Sequence, residues 1–380
     1  MEDDFIRIIH FADTHLGFSA YRRVDHDGVN KREKDVYDAF SRMIDYIIET
    51  RPDIVIHAGD LFDNVRPTNR AIGVALNQLS RLSKEEIPTV VISGNHETPK
   101  LKETGHIFKT FEHLDYVFPV YGDKEEIIKL NIRGYTVKIH AVPHCRSKED
   151  FLNALERVEP DERSDYNILV THGAVQSIQG FRMNEFNEYI IPMDILRKDF
   201  DYIALGHFHR YAKVTSSIVY PGSIEKFSFA ESKDVKGLVE VVLSDDKEIS
   251  FVPFPTRKMI EVDPINCKGL TTEQVMNKIE EALKDKSLKE AIVRINLHNI
   301  DDLTYRNMDQ GKLKTMLKDA FHFEIRRFTG EDPGRVYPSV ENVAIRDLIT
   351  EFKDFLSRIN CEDKEKFFNL GRKYLEEMEE

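Results

Sequence analysis

Long apolar runs are missing from this chain of 380 residues: no stretch approaches the ~20 consecutive apolar residues that a membrane-spanning helix requires. The first residues, Met1-Glu2-Asp3-Asp4, are acidic where a secretory leader would be basic. A cytoplasmic protein without membrane contact is therefore expected. Cysteine is scarce: Cys145, Cys267 and Cys361 lie far apart without paired spacing. That excludes a disulfide framework and a thiolate zinc site. Positive charge is also short, with 54 Lys and Arg against 67 Asp and Glu and a formal net charge of -13. Most nucleic-acid binders present a basic surface, so such a partner requires local positive charge, from basic loops or bound cations, that the total conceals.

What is present is a repeated junction. Ile54-Val55-Ile56-His57-Ala58 runs into Gly59-Asp60 between Pro52 and the glycine, as a strand buried on both faces does. A carboxylate at the end of such a strand is costly unless the chain turns out of the sheet or a cation meets it. The pattern recurs four times. Ile6 to Phe11 leads to Asp13-Thr14-His15, Thr89 to Ile92 to Gly94-Asn95-His96-Glu97, Asn167 to Val170 to His172-Gly173, and Tyr202 to Leu205 to Gly206-His207-Phe208-His209. Five strands thus deliver Asp, His and Asn to one rim.

Helical periodicity fills the intervals. A helix is expected from about Lys34 to Glu49, a second opening at Pro67 and running to about Leu82, and a weaker third over Ile107 to Leu114. From Val117 onward the runs shorten, with a hairpin at Arg133-Gly134, a helix over Phe151 to Val158, and β runs as far as Phe254. The fold class is α/β, with two facing mixed β-sheets flanked by helices over residues 1–255. Residues 256–329 form a small α+β domain, with helices expected over Thr272 to Leu283 and Gln310 to Asp319. Residues 330–380 are a linker and a C-terminal helical pair. That tail carries 13 acidic against 8 basic side chains. Its aromatic faces either fold back on the body or dock on a helical partner, and its charge argues against contact with DNA.

Each motif is weak alone, since a lone His is more often a satisfied core residue than a ligand. Their conjunction is not weak. Imidazole nitrogens mixed with carboxylate and amide oxygens suit a borderline cation such as Mn²⁺ or Fe²⁺. Seven or so donors exceed the needs of one ion, but match two cations roughly 3.5 to 4 Å apart that share a carboxylate. Such a pair activates water against phosphorus. Loops near these strands carry Arg22, Arg23, Arg32, Lys34, Arg66, Arg70, Lys100 and Arg146, a modest basic contribution.

The ordered set Asp13-x-His15, Gly59-Asp60, Gly94-Asn95-His96-Glu97, His172 and Gly206-His207-x-His209 resembles the calcineurin-like dinuclear metallophosphoesterase superfamily. Asp13-Thr14-His15-Leu16-Gly17, Arg32-Glu33-Lys34-Asp35, Arg66-Pro67 and Tyr220-Pro221-Gly222-Ser223 are similar to one branch, the DNA double-strand-break repair nuclease of the SbcD and meiotic-recombination type. The resemblance implies that Asp13, His15 and His209 hold one ion, that Asn95, His172 and His207 hold the other, and that Asp60 bridges them. His96 would be catalytic, acting on the phosphorus or the leaving oxygen. Two departures stand out: Glu97 where many members have Asp, and Asp63 where some nucleases have a second His.

The branch implies a Mn²⁺-dependent exonuclease and endonuclease, nucleoid-associated, acting on double-strand ends and single strands. It also implies an SMC-like ABC-type ATPase partner, a small capping domain over residues 256–329, and a homodimer. The stripe Ala71 to Leu82 with Phe108 and Phe111 is expected to form the two-fold contact. A small-substrate phosphatase or phosphodiesterase on the same fold, and a scaffold that mainly tethers DNA ends, are the alternative functions.

Overall fold

The computed structural model describes residues 5–175, 188–244, 247–328 and 365–369. The chain divides into two units, 1–329 and 330–380. In chain order, the first unit opens with β1 (Ile6–Phe11), α1 (Lys31–Thr50), β2 (Ile54–Ala58), α2 (Asn69–Lys84), β3 (Thr89–Ile92) and β4 (Val117–Val120). The hairpin β5 (Glu126–Ile132) and β6 (Tyr135–Val142) follows, then α3 (Lys148–Arg157), β7 (Tyr166–His172) and the short pair β8 (Ala174–Val175) and β9 (Ile190–Ile191). β10 (Tyr202–Gly206), β11 (Ala212–Lys213), β12 (Ile218–Tyr220), β13 (Lys236–Leu243) and β14 (Glu248–Phe254) complete the body.

These strands form two mixed sheets, in the orders β14-β13-β1-β2-β3-β4 and β11-β12-β10-β7-β6-β5. The central strands pair in parallel, and antiparallel neighbours lie towards the edges. Period-2 alternation explains why the sheets face each other. Ile6 and Ile8 of β1, with Ile54 and Ile56 of β2, point into a core shared with Ile139, Ile168, Val170 and Ala204 of the other sheet. Ile9 and Phe11 point the opposite way, onto Phe40, Met43, Ile44 and Ile47 of α1. On the far side of the second sheet, Leu169, Ile203 and Leu205 pack on Phe151, Ala154 and Leu155 of α3. The order of layers is helix, sheet, sheet, helix.

Several expectations are corrected. The second helix begins at Asn69 behind the cap Thr68, whose hydroxyl accepts from Ala71 N, so Pro67 lies outside it. Ile107–Phe111 is only a short 3₁₀ turn, capped by the His106 side chain. The stripe expected to join two subunits is enclosed by the chain itself: Ala71, Ala75, Leu79, Leu82, Phe108 and Phe111 are all buried in the core beneath α1. Val74 of the same stripe, with Ile72 and Leu76 beside it, is only half-buried, so part of α2 stays outside the core.

The smaller α+β region comprises β15 (Met259–Glu261), β16 (Ile265–Asn266), α4 (Thr272–Leu283), β17 (Ile292–His298), α5 (Asp302–Arg306), α6 (Gln310–Met316) and β18 (His322–Phe328). Here α4 matches its expected span and is held by a Thr271–Gln274 capping box, whereas α6 stops at Met316 and α5 was not foreseen. Its sheet packs on Val275, Ile279, Leu313 and Leu317. Arg257 joins it to the body: the guanidinium donates to both carboxylate oxygens of Asp35 at 2.6 and 2.7 Å and lies 4.2 Å from the Phe321 ring centre. The expected tail helix over Val340 to Ile359 lies outside the described residues, and 365–369 are helical.

Candidate metal centre

Every strand that ends in the repeated junction stops at one rim, so residues remote in sequence converge. Asp13 N donates to Gly59 O and His15 N to Asp60 O, both at 3.0 Å, which locks the first junction to the second. The two sheets meet here. His207 N, after β10, donates to the Asp13 carboxylate at 3.0 and 3.1 Å. The backbone is forced at these positions: Asp13, His15, Asp60 and His207 have φ of 52°, 48°, 55° and 109°. Non-glycine residues at positive φ cost roughly 1–3 kcal/mol each and persist where the surrounding structure over-determines them.

Glycines supply the close approaches. A Cβ on Gly206 would lie 1.9 Å from Ala58 O, and one on Gly59 would lie 2.3 Å from His172 Nδ1. The side chains then form three overlapping clusters, each with its donor atoms within 4.8 Å of one another: Asp13, His15 and His209; His15, Asp60 and His96; Asp60, His172 and His207. Asn95 completes the third, its Oδ1 lying 2.9 Å from His172 Nε2 and 3.3 Å from His207 Nδ1. All eight residues singled out in the sequence therefore reach one site.

Asp60 sits at its centre. One carboxylate oxygen accepts from His96 N at 3.0 Å. The other is buried without a hydrogen-bond partner, although His172, His15 and His96 nitrogens stand 3.3, 3.8 and 4.0 Å away. His15 Nε2 and His209 Nε2 face each other at 3.1 Å, an arrangement in which both cannot carry a proton on that side. Burial alone would raise the Asp60 carboxyl, but the His172 and His96 imidazoles hold it well below the usual carboxylate range. Burial would likewise lower His172, yet Asp60 pushes it up to about 9. A pocket that draws protons onto imidazole this strongly draws cations by the same field, and its N and O donors fit two divalent ions.

Several partners of these side chains carry no local sequence signal. His172 is oriented through Nδ1 by Ala58 O at 2.8 Å, His207 through Nε2 by Glu188 at 3.0 Å, and His209 through Nδ1 by Glu231 at 3.3 Å. The two departures also acquire roles. The main-chain oxygen of Asp63 lies 3.0 Å from His96 Nδ1 and orients that ring. Glu97, fully buried, accepts from Leu61 N and Gly94 N through one oxygen and ties the two metal loops together. Burial, with the Asp60 charge beside it, pushes Glu97 up to about 8.

The basic loops contribute less than their composition suggests. Arg32 is enclosed and spent on Asp35 and the Lys226 carbonyl, Arg70 reaches Glu33, and Arg146 is clamped on Asp123. Arg66 and Lys100 line a cleft of about 620 Å³ that opens beside His96.

A family model described as calcineurin-like phosphoesterase matches residues 6–211. The chain is 27% identical, over 93% of its length, to the whole of the DNA double-strand break repair protein Mre11 of Saccharolobus solfataricus. Against the protein of the same name from Methanocaldococcus jannaschii it is 31% identical, with 72% of each chain covered. The solved structure of the calcineurin-like phosphoesterase YfkN from Bacillus subtilis covers 74% of this chain and 97% of its own, with a TM-score of 0.41 and 13% identity.

Proposed function

This chain belongs to the calcineurin-like phosphoesterase family, and from that premise we propose that it is a DNA repair nuclease. It cleaves phosphodiester bonds at double-strand ends and in single strands with two divalent cations, Mn²⁺ by preference. The observation that carries this reading is the unpartnered, buried Asp60 oxygen ringed by three imidazole nitrogens at the seam of two sheets. The relatives named for double-strand break repair point to the substrate class.

When bound, the two cations would neutralise the phosphodiester and lower the pKa of the attacking water. The chain's own groups do the rest. Asp13, His15 and His209 would hold one ion, Asn95, His172 and His207 the other, and Asp60 both. His96 is no ligand on this reading: the Asp63 carbonyl lies against its Nδ1, and its Nε2 would place a proton on the leaving sugar oxygen. The cleft lined by Asn64, Arg66 and Lys100 opens on that side and would receive the rest of the strand.

Residues 256–329 act as a capping domain, and 330–380 dock on an SMC-like ABC-type ATPase rather than on DNA, consistent with their net charge of -5. A homodimer is part of this reading, and of the α2 stripe only its half-buried residues, Val74 among them, could take part in the contact. Among the described residues no helix is long and apolar enough to cross a membrane. Work on chromosomal DNA would put the protein in the cytoplasm with the nucleoid.

The test is digestion of end-labelled linear duplex by the purified chain with Mn²⁺, Mg²⁺ or chelator, beside a small phosphodiester. Metal-dependent shortening of the duplex is expected. Cleavage of the small ester with none of DNA, with or without the ATPase, would overturn the DNA reading.

A further inference from the structure

Lys236 is the most anomalous side chain beside the metal centre. Its ammonium group is wholly enclosed at the first position of β13, and lysine is almost never fully buried without a partner. It belongs to none of the ligand clusters. Instead it donates to Glu231 Oε2 at 2.6 Å and to the main-chain oxygen of His209, with Asp234 3.8 Å away.

The other oxygen of that carboxylate, Glu231 Oε1, lies 3.3 Å from His209 Nδ1. Ser228 Oγ donates to the same oxygen at 3.3 Å. Ser223 closes the arrangement from behind, donating from its N to His209 O at 3.1 Å and from its hydroxyl to Glu231 Oε2 at 3.4 Å. Gly222 makes that turn feasible, since at φ +79° a Cβ would stand 2.9 Å from His209 O. The Tyr220-Pro221-Gly222-Ser223 motif is thus part of a buried cradle that grips both the ring and the backbone of one histidine.

A charged acceptor on Nδ1 has a defined consequence. The proton stays on Nδ1, and the Nε2 lone pair is turned towards His15 Nε2 at 3.1 Å and the Asp13 carboxylate. His172, in contrast, is held by the neutral Ala58 carbonyl. Glu231 reaches neither His172 nor His207, whose ring is held by Glu188.

We propose that Glu231, anchored by Lys236, is the positioning residue of His209 and sets the affinity of one ion only, the one shared by Asp13, His15 and His209. The inference rests on the two-cation reading above. In Mn²⁺ titrations of the full chain followed by electron paramagnetic resonance, the wild type should show two ions. Glu231→Gln, of the same shape without the charge, should weaken one of them by about 10- to 100-fold and leave the other in place. Lys236→Met, which removes the anchor, should weaken the same ion, and Glu188→Gln should weaken the other.

Two ions bound by Glu231→Gln as tightly as by the wild type, or an equal loss of both, would overturn the assignment. A wild type that binds fewer than two ions would overturn the two-cation reading and this inference with it. A measurement without variants guards against a failure to fold. In wild-type protein loaded with diamagnetic Zn²⁺, the imidazole nitrogen resonances should place the His209 proton on Nδ1. A proton on Nε2 would refute the proposal.

Discussion

Substituting alanine for Gly206 probes the seam of the two sheets with a single methyl group. The added Cβ would stand 1.9 Å from Ala58 O and 2.8 Å from His172 Nδ1, and ordinary contact begins at 3.4 Å. The carbonyl must therefore recede by about 1.5 Å, and it is the group that orients His172. Neither atom is the end of a flexible side chain. β10 is paired with β7 on one side and β12 on the other, and Ala58 is the last residue of a central strand. Overpacking of this kind costs about 1–3 kcal/mol in stability. The larger effect is on the site, where a misplacement of about 1 Å can cost on the order of 100-fold in rate. Gly206→Ala should therefore fold with a lowered melting temperature, bind substoichiometric Mn²⁺ by metal analysis, and hydrolyse a small phosphodiester at least tens of times more slowly than the wild type. A folded variant with two ions and activity within about threefold would show that the seam is loose and that the close approach does not position His172.

Four further outcomes follow from the same geometry. Saturating Mn²⁺ should raise the melting temperature of the wild type, by about 2.7 kcal/mol of stability at 100 times its Kd, and Asp60→Asn should abolish that rise together with activity; a retained rise in calorimetry would mean that the bridge is not Asp60. His96→Ser should keep both ions while losing about 100- to 10,000-fold in turnover, and loss of metal instead would make His96 a ligand. Truncation after Pro338 should leave metal-dependent cleavage intact and abolish co-elution with the ATPase; persistence of the complex would place the docking surface elsewhere. Cys145, which burial with Asp123 nearby pushes up to about 12, should resist alkylation in the native protein at mildly alkaline pH, and rapid labelling in mass spectrometry would contradict its enclosure.

The central strands were legible because they are buried on both faces and therefore read as unbroken apolar runs that end in polar junctions. The eight site residues were legible for the same reason: each ends or follows a strand, where a fold of this type exposes its rim. Other features left no such trace. Glu188 and Glu231 meet His207 and His209 only through tertiary packing, and neither stands at a strand end or in a period. The positive φ of Asp13, His15, Asp60 and His207 contradicts local preference and is imposed by hydrogen bonds between junctions. The apolar face of α2 looked like a spare surface because periodicity shows that a face is apolar but not what covers it. Here α1, together with Phe108 and Phe111, covers it from within.

The sheet order has a consequence for synthesis. β1 is made well before the strand that covers its open edge: β13 follows it by more than 200 residues, and their pairing carries five registered residue pairs. The donors are divided along the chain in the same way, with Asp13, His15, Asp60 and Asn95 in the first quarter and His172, His207 and His209 beyond residue 170. An N-terminal fragment released early, or a chain stalled in translation, holds only half of the centre and an unpaired strand edge prone to association. The donor set is therefore complete only once the chain has passed His209, shortly before β13 can close the sheet.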